Sequence, residues 1–260
     1  MPGFGRRFVI DDRDRNFLMR RMLPDARALA LPTRKTWGIN PTALNQGQTG
    51  TCVGHAWRNF LRCAPMRTER QGPSAFDIYR SAVLEDTMSQ NDDEAQLPDG
   101  DGGLDFGTTV RAGAEAVTGL GHLKSYVWAF DLQPAIEWVL TQGPVVLGTN
   151  WYSSFMNPGA DGLVRITPNA RVEGGHAYLL RGVDTRKALA LCTNSWGDDW
   201  GVSGNFCLPF RVLERLIHED GEACSAVQKR LTAKPTMPPL ARAFVPPSGR
   251  NGRGKNGHRK

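Results

Sequence analysis

The spacing of apolar residues changes along the chain, from helical in the first half to strand-like in the second. In residues 52–63, apolar side chains fall at positions 52, 53, 56, 57, 60 and 61, which predicts a helix with a wide buried stripe. Further helices are predicted after Ser74, over 108–117 and over 131–143, where capping residues, Pro and Gly mark the boundaries.

Beyond residue 144 the apolar period shortens towards two, which is typical of β-strands. The predicted strands are 144–148, 163–166, 176–183, 188–192 and 205–209. Helices and strands that occupy separate halves of a chain indicate an α+β protein. We therefore expect a helical lobe over about 46–130, an antiparallel β lobe over about 131–225, and a cleft between them.

Composition and charge divide the chain into three parts. Residues 1–29 are predicted to be a polar lead-in segment, 30–230 the folded domain, and 231–260 a disordered tail rich in Pro and Gly. The tail holds seven basic residues and no acidic one, so the net charge of +6 belongs to the tail. A basic nucleic-acid-binding face on the fold is therefore disfavoured, whereas docking of a polyanion or a protein through the tail is left open.

The sequence shows neither a membrane-spanning segment nor a secretory signal peptide. No apolar run approaches the length of a membrane span, and the N-terminus lacks the apolar core of a signal peptide. We expect synthesis in the cytoplasm, with a place in a virion or export by another route left open. The oligomeric state is not predicted.

Five cysteines are present, so at least one thiol is free or shared between molecules. Cys63 follows Cys52 on the same helical face and is expected in the core. Cys192 and Cys207 lie on adjacent predicted strands, where two free thiols are favoured over a bridge.

Cys52 is the first candidate for chemistry. It opens a buried helix directly after a Gly-rich loop, and a helix N-terminus carries unpaired N–H groups and partial positive charge. A thiol in that position ionises more easily, and the thiolate is the nucleophile. His55 lies three residues from Cys52, but its face of the helix points into the helical lobe, so it is not expected to serve as the base. No second pair of ligands with suitable spacing completes a zinc site around Cys52 and His55.

Three further residues complete a candidate catalytic group. His176 opens a predicted strand after two glycines and is the candidate base, and Asn194, in a turn between strands, can fix its tautomer. Gln46 lies in the loop that leads to Cys52, so its amide can join the Cys52 N–H in binding an oxyanion.

These residues lie in three sequence blocks that resemble the signature blocks of the papain-like cysteine peptidases: NQGQTGTC at 45–52, GHAY at 175–178 and NSWGDDWG at 194–201. The order and spacing of Cys, His and Asn are similar to those of that family. The residues around Cys52 look like those of the bacterial and phage members of the family. The similarity spans about residues 30–220.

The resemblance implies a two-lobe fold, one lobe helical and one a β-barrel-like sheet, with the active site in the cleft. It implies that Cys52 is the nucleophile, His176 the base, Asn194 its orienting partner and Gln46 an oxyanion donor. Trp196 would cover the Asn194–His176 hydrogen bond. The substrate backbone would bind a glycine of the cleft wall, Gly107 or Gly103, with Gly175 and Trp196 also beside the substrate.

The expected activity is that of a cysteine endopeptidase acting on polypeptides through a thiolate–imidazolium pair and a thioester acyl-enzyme, with no metal or organic cofactor. A catalytically silent binding or structural protein, such as a component of a phage particle or a secretion assembly, is the alternative. A transpeptidase or deamidase using the same site is another. The chain departs from the family at Thr49 and Val53, where Cys and Trp are usual. The lead-in is also too short for the family's long inhibitory pro-segment, which leaves its regulatory role open.

Overall fold

The computed structural model describes residues 3–23, 30–68, 72–89 and 106–228, all within one compact unit spanning 1–229. The helices and strands of these ranges, in chain order, are α1 (Met19–Met22), β1 (Arg34–Thr36), α2 (Cys52–Arg62), α3 (Ala75–Ser89), α4 (Val110–Gly119), β2 (Leu123–Ala129), α5 (Leu132–Thr141), β3 (Val145–Tyr152), β4 (Val172–Asp184), β5 (Leu189–Thr193), β6 (Asn205–Pro209), α6 (Phe210–His218) and β7 (Glu222–Gln228). The tail predicted at 231–260 lies outside the described residues.

The predicted α+β class is confirmed, and most predicted elements are present. The strand predicted at 163–166 is wrong: Leu163 makes only an isolated bridge to Cys207. The reason is local, because the Asp161 side chain and the left-handed Gly162 (φ +68°) form a turn immediately before it. Strands β1, β2 and β7 and helices α1 and α6 were not predicted.

The described strands form one antiparallel sheet of seven strands in the order β2-β7-β3-β4-β5-β6, and β1 pairs with β4 off this path. The sheet is open, so the barrel-like closure expected for the β lobe is corrected. Strand β2, from the half of the chain predicted to be helical, pairs with β7 at one edge. The two edge strands β2 and β6 do not pair with each other in the part of the chain described here.

The central strands are buried on both faces, which explains their continuous apolar sequence. Along β3, Val145 and Leu147 pack into a core with α5 and α6, whereas Val146 packs into a second core with α2 and α4. Strand β4 alternates in the same way. The result is a sheet between two helical layers, with α2 directly against β3 and β4.

The N-terminal residues are held to this structure at two places. Residues 3–9 run past the N-terminus of α2, and a short 3-10 helix, Asp12–Asn16, then leads to the edge strand β2, where the Trp128 N–H donates to the Phe17 carbonyl at 2.7 Å. Arg111 of α4 forms ion pairs with Asp14 and Asp11. Among the described helices, none combines the length and the hydropathy needed to span a lipid bilayer.

Candidate active site

Cys52 is the first residue of α2 and is completely buried. Burial raises the pKa of its thiol to about 11, and hydrogen bonds from the backbone N–H groups of Ala177, Gly5 and Val53 oppose that rise. The contact with Ala177 places the sulfur beside the residue that follows His176. Helix α2 and strand β4 thus bring together two residues that are far apart in the sequence.

His176 is held in one tautomer by its partner. Its Nε2 lies 2.7 Å from Asn194 Oδ1, and the Ser195 N–H donates to the same oxygen at 2.8 Å. Because that oxygen accepts from Ser195, Nε2 must carry the proton, and Nδ1 carries a lone pair. Nδ1 is buried and has no hydrogen-bond partner among the described residues. The ring therefore presents a basic nitrogen that is not engaged elsewhere.

An apolar aromatic cluster surrounds the imidazole. The rings of Trp151 and Trp196 each lie 4.8 Å from the His176 ring, and the Phe4 ring lies 6.0 Å away, measured between centroids. Burial among these rings lowers the His176 pKa to about 4, while the Asn194 hydrogen bond opposes the change. In this closed arrangement burial opposes the charged form of both the Cys52 thiol and the His176 imidazole.

Gln46 is joined to the Asn194 loop. The Ser195 hydroxyl donates to Gln46 Oε1 at 2.7 Å, and the Gln46 N–H donates to the Ser195 carbonyl at 2.9 Å. The oxygen of the amide is thereby fixed, so its NH₂ group points the other way. That NH₂ group donates to the carbonyls of Gly3 at 3.0 Å and Thr49 at 2.8 Å. A backbone carbonyl of the chain's own N-terminus thus occupies the predicted oxyanion donor.

The N-terminal segment, residues 3–9, pairs with the cleft through its backbone. The Arg6 N–H donates to the Gly175 carbonyl at 3.1 Å, the Thr108 N–H donates to the Gly5 carbonyl at 2.8 Å, and the Arg7 N–H donates to the Thr108 carbonyl at 2.9 Å. The predicted backbone-binding glycine, Gly107, lies next to this pairing with φ +68°, and its own N–H donates to the Tyr79 hydroxyl. Gly103 lies outside the described residues.

The solved structures most informative about this arrangement are cysteine proteases. The chain is similar to xylellain, a cysteine protease from Xylella fastidiosa, with a TM-score of 0.66 and 18% identity over 88% of this chain and 97% of that one. It is also similar to digestive procathepsin L2 proteinase of the Tenebrio molitor larval midgut, with a TM-score of 0.60 and 17% identity over 86% and 78% of the two chains. The chain has the papain-like cysteine protease fold.

One sequence relative agrees with this fold. An uncharacterized peptidase C1-like protein of Acanthamoeba polyphaga mimivirus is 22% identical over 215 residues, which cover 65% of this chain and 65% of that protein. The match thus spans just under two thirds of the relative's length. No family model matches the chain.

His55 is the histidine nearest to Cys52 along the sequence of this papain-like chain. His55 faces away from the cleft: its Nδ1 lies 3.0 Å from the Thr51 carbonyl oxygen, and its ring packs on Phe76. Within the described ranges, no group of three or more His, Cys, Asp or Glu side chains could hold a metal ion.

All five cysteines are free thiols. Cys207 pairs with Leu191, whereas Cys192 pairs with Phe206. Because neighbouring residues of a strand point to opposite faces, the side chains of Cys192 and Cys207 lie on different faces of the sheet. The expectation of free thiols is confirmed, with Cys207 half-buried and the other four buried.

Sequence reasoning missed several residues that build the site. These are Phe4, Gly5, Arg6, Trp151, Ser195 and Glu222. Two glycines flank Phe4 at the N-terminus. They were a usable sign of close packing, because a segment that approaches another backbone closely needs glycine at the point of contact. A Cβ on Gly5 would lie only 1.7 Å from the Gly50 carbonyl oxygen.

Proposed function

We propose that this chain is a cysteine peptidase that hydrolyses peptide bonds in polypeptides and that Cys52, His176, Asn194 and Gln46 perform the reaction. The observation that carries the proposal is the unengaged Nδ1 of His176, whose tautomer is fixed by Asn194, on the residue directly before Ala177, which contacts the Cys52 thiol at the start of α2. The papain-like fold and the peptidase-like relative support the same conclusion.

The reaction begins when His176 Nδ1 takes the proton of the Cys52 thiol. The thiolate attacks the carbonyl carbon of the peptide bond, and the resulting oxyanion accepts hydrogen bonds from the Cys52 N–H and the Gln46 NH₂ group. His176 then gives its proton to the leaving amine, the C–N bond breaks, and a thioester remains on Cys52. Water, deprotonated by His176, hydrolyses the thioester and regenerates the thiol and a free carboxyl terminus.

In the form described here this reaction is blocked by the chain itself. Phe4 and Gly5 lie against His176 and Cys52, and the Gly3 carbonyl occupies the Gln46 amide. We infer that the N-terminal segment must leave the cleft before a substrate enters. Once water reaches the pair, the desolvation that favours the neutral forms is reduced, and the thiolate–imidazolium pair becomes accessible.

Two measurements test the proposal: covalent labelling by an irreversible thiol-directed peptidyl epoxide, and cleavage of a peptide library. The Gly5→Ala variant of the full chain should take up one equivalent of epoxide at Cys52 and cleave peptides, and the native chain should do both more slowly, because its N-terminal segment must first leave the cleft. Cys52→Ala should lose both while keeping its folded circular dichroism spectrum. Cys207→Ala, which removes a half-buried thiol outside the site, is the matched control and should keep both.

Absence of labelling and of turnover in both the native chain and Gly5→Ala would refute the peptidase assignment and favour the silent binding protein. Mass spectrometry of the products identifies the reaction. Ligated peptides would indicate transpeptidation instead of hydrolysis. Side-chain amides converted to acids would indicate deamidation.

A further inference from the structure

The candidate oxyanion donor, Gln46, is held by two other residues of the site. Ser195 binds its side-chain oxygen and its backbone N–H, as described above. Thr49 binds the other two groups: its hydroxyl donates to the Gln46 carbonyl at 2.7 Å, and its carbonyl accepts from the Gln46 NH₂ group at 2.8 Å. The second N–H of that NH₂ group, which binds the Gly3 carbonyl in the closed form, is the one that an oxyanion can use.

Thr49 is in turn joined to two side chains at the start of α2. Its Oγ1 lies 2.7 Å from Thr51 Oγ1, and Thr51 Oγ1 lies 3.2 Å from His55 Nδ1. Thr51 and His55 are buried, so water does not compete for these contacts. The three side chains of Thr49, Thr51 and His55 thus form a continuous polar chain that leads from the helical lobe to the Gln46 carbonyl.

The hydrogen bonds of this polar chain all run in one direction. His55 Nδ1 lies 3.0 Å from the Thr51 carbonyl oxygen, which can only accept, so Nδ1 carries the proton and also donates to Thr51 Oγ1. At the other end, the Thr49 hydroxyl gives its proton to the Gln46 carbonyl, so its oxygen accepts from the Thr51 hydroxyl. Each bond therefore strengthens the next one towards Gln46.

The Thr51 hydroxyl serves the loop and not the helix. Thr51 is the N-cap residue of α2, a position where a threonine hydroxyl commonly accepts from an N–H of the first turn. Among the described residues its side chain makes no such capping bond, and its contacts are with Thr49 and His55 instead. The helix forgoes this stabilisation, and the loop that carries Gln46 gains an anchor.

We propose that the polar chain positions the Gln46 amide for the oxyanion, with Thr49 as the positioning residue in direct contact. This proposal rests on the proposed peptidase function, in which the Gln46 NH₂ group binds that oxyanion. The polar chain fixes the Gln46 backbone carbonyl, while Ser195 fixes the side-chain oxygen. Restraint at both ends of one residue sets the place of its remaining N–H, and a donor must be set in place beforehand to stabilise a transition state.

The first test is Thr49→Val in the full chain carrying Gly5→Ala, because valine keeps the shape of threonine and loses the hydroxyl. On a peptide that the parent cleaves, kcat should fall about 3- to 10-fold with KM changed less than about twofold, as expected for one neutral hydrogen bond that acts on the transition state. Thr49→Ser keeps the hydroxyl and should keep kcat within about twofold of the parent. Thr42→Val removes a hydroxyl from an exposed residue of the preceding segment and should leave kcat unchanged.

Thr51→Val tests the second link. It removes the donor to Thr49 and leaves the bond between Thr49 and Gln46, so its kcat should lie between those of the parent and Thr49→Val. A loss in Thr51→Val greater than that in Thr49→Val would overturn the direction of the polar chain.

Alkylation of Cys52 by iodoacetamide separates positioning from general damage to the site. In this reaction the sulfur displaces iodide from a saturated carbon: a C–S bond forms, the C–I bond breaks and no oxyanion develops. Thr49→Val should therefore be alkylated within about twofold of the parent rate. In a chain that already carries Gln46→Ala, adding Thr49→Val should lower kcat by less than about twofold, because the amide to be positioned is absent.

Three results would overturn the positioning role while cleavage by the parent keeps the peptidase function in place. They are an unchanged kcat in Thr49→Val, a fall in its alkylation rate equal to the fall in kcat, and an undiminished further loss in the Gln46→Ala chain. No cleavage of any peptide together with no epoxide labelling of Cys52 in the parent would overturn both proposals.

Discussion

At the scale of single residues, the site depends on fixed orientations of amide groups. One oxygen of Asn194 accepts from both His176 and Ser195, and this sharing sets the tautomer of the histidine. The Ser195 hydroxyl does the same for Gln46 by binding its oxygen. The residue types at 46, 176 and 194 were predicted from the sequence because each chemical role needs a particular functional group. The role of Ser195 was not, because its hydroxyl acts only through the orientation of a neighbour.

Gln46→Ala is expected to lower kcat about 100- to 1,000-fold, because one donor to the oxyanion is lost and the other remains. The measurement is steady-state kinetics on a peptide that the full chain carrying Gly5→Ala cleaves. Gln48→Ala is the matched control: it removes the same group from an exposed position two residues along the same loop and should change kcat less than about threefold. Equal losses in the two variants would assign the effect to the loop and not to the amide.

At the scale of elements, the position of Cys52 depends on how closely helices pack around α2. A Cβ on Gly54 of α2 would lie 2.2 Å from the Ala75 carbonyl oxygen, and a Cβ on Gly113 of α4 would lie 2.3 Å from the Trp57 ring. These close approaches hold α2 between its neighbours and fix its N-terminus against β4. The helical spacing of α2 predicted the helix from the sequence. The role of the glycines that let α3 and α4 pack close to it was not recognised.

Gly113→Ala is expected to reduce the free energy of unfolding by about 1–3 kcal/mol, since the added methyl group overlaps the Trp57 ring in a packed core. Gly119→Ala, at the end of the same helix and with open space around its Cβ, is the control and should be neutral or stabilising by up to about 1 kcal/mol. Urea titration followed by circular dichroism measures both. A Gly113→Ala chain as stable as the native one would show that α2 and α4 separate readily.

Strands β2 and β7 show why some elements were missed. They pair with each other along the sheet edge, and the Trp128 side chain of β2 faces a different core from its neighbours Val127 and Ala129. Burial on both faces removes the alternation that marks a half-buried strand, and short apolar runs do not by themselves distinguish strand from helix. The segment forms a strand because it pairs with β7, which lies about 100 residues away along the chain.

At the scale of the whole molecule, the N-terminal segment and the candidate catalytic residues form one closed assembly. The ion pairs of Arg111 with Asp14 and Asp11 hold the region behind the segment to α4, and the Arg6–Glu222 pair holds the segment itself in the cleft. The lead-in predicted at 1–29 thus supplies contacts to the site in its described part, residues 3–23. The sequence left the regulatory role of this segment open. We propose that it controls access to Cys52, and the next variant tests this.

Gly5→Ala should expose Cys52, because the new Cβ cannot occupy space 1.7 Å from the Gly50 carbonyl oxygen and the segment must move away. Alkylation of Cys52 by iodoacetamide, followed by peptide mapping, should be at least about tenfold faster than in the native chain, where the thiol is fully buried. Gly119→Ala again serves as the control and should react at the native rate. Identical rates in all three chains would mean that the segment does not control access.

The sequence by itself determined the α+β class, the helix that begins at Cys52 and the order of the four catalytic candidates, because these depend on local periodicity and on functional groups that only certain residues carry. The tertiary structure alone decided the open sheet, the burial of the Cys52 thiol and the His176 imidazole, the position of the N-terminal segment in the cleft and the pairing of Arg6 with Glu222. Those features depend on which distant groups exclude water from one another, and exclusion of water is a property of the assembled molecule.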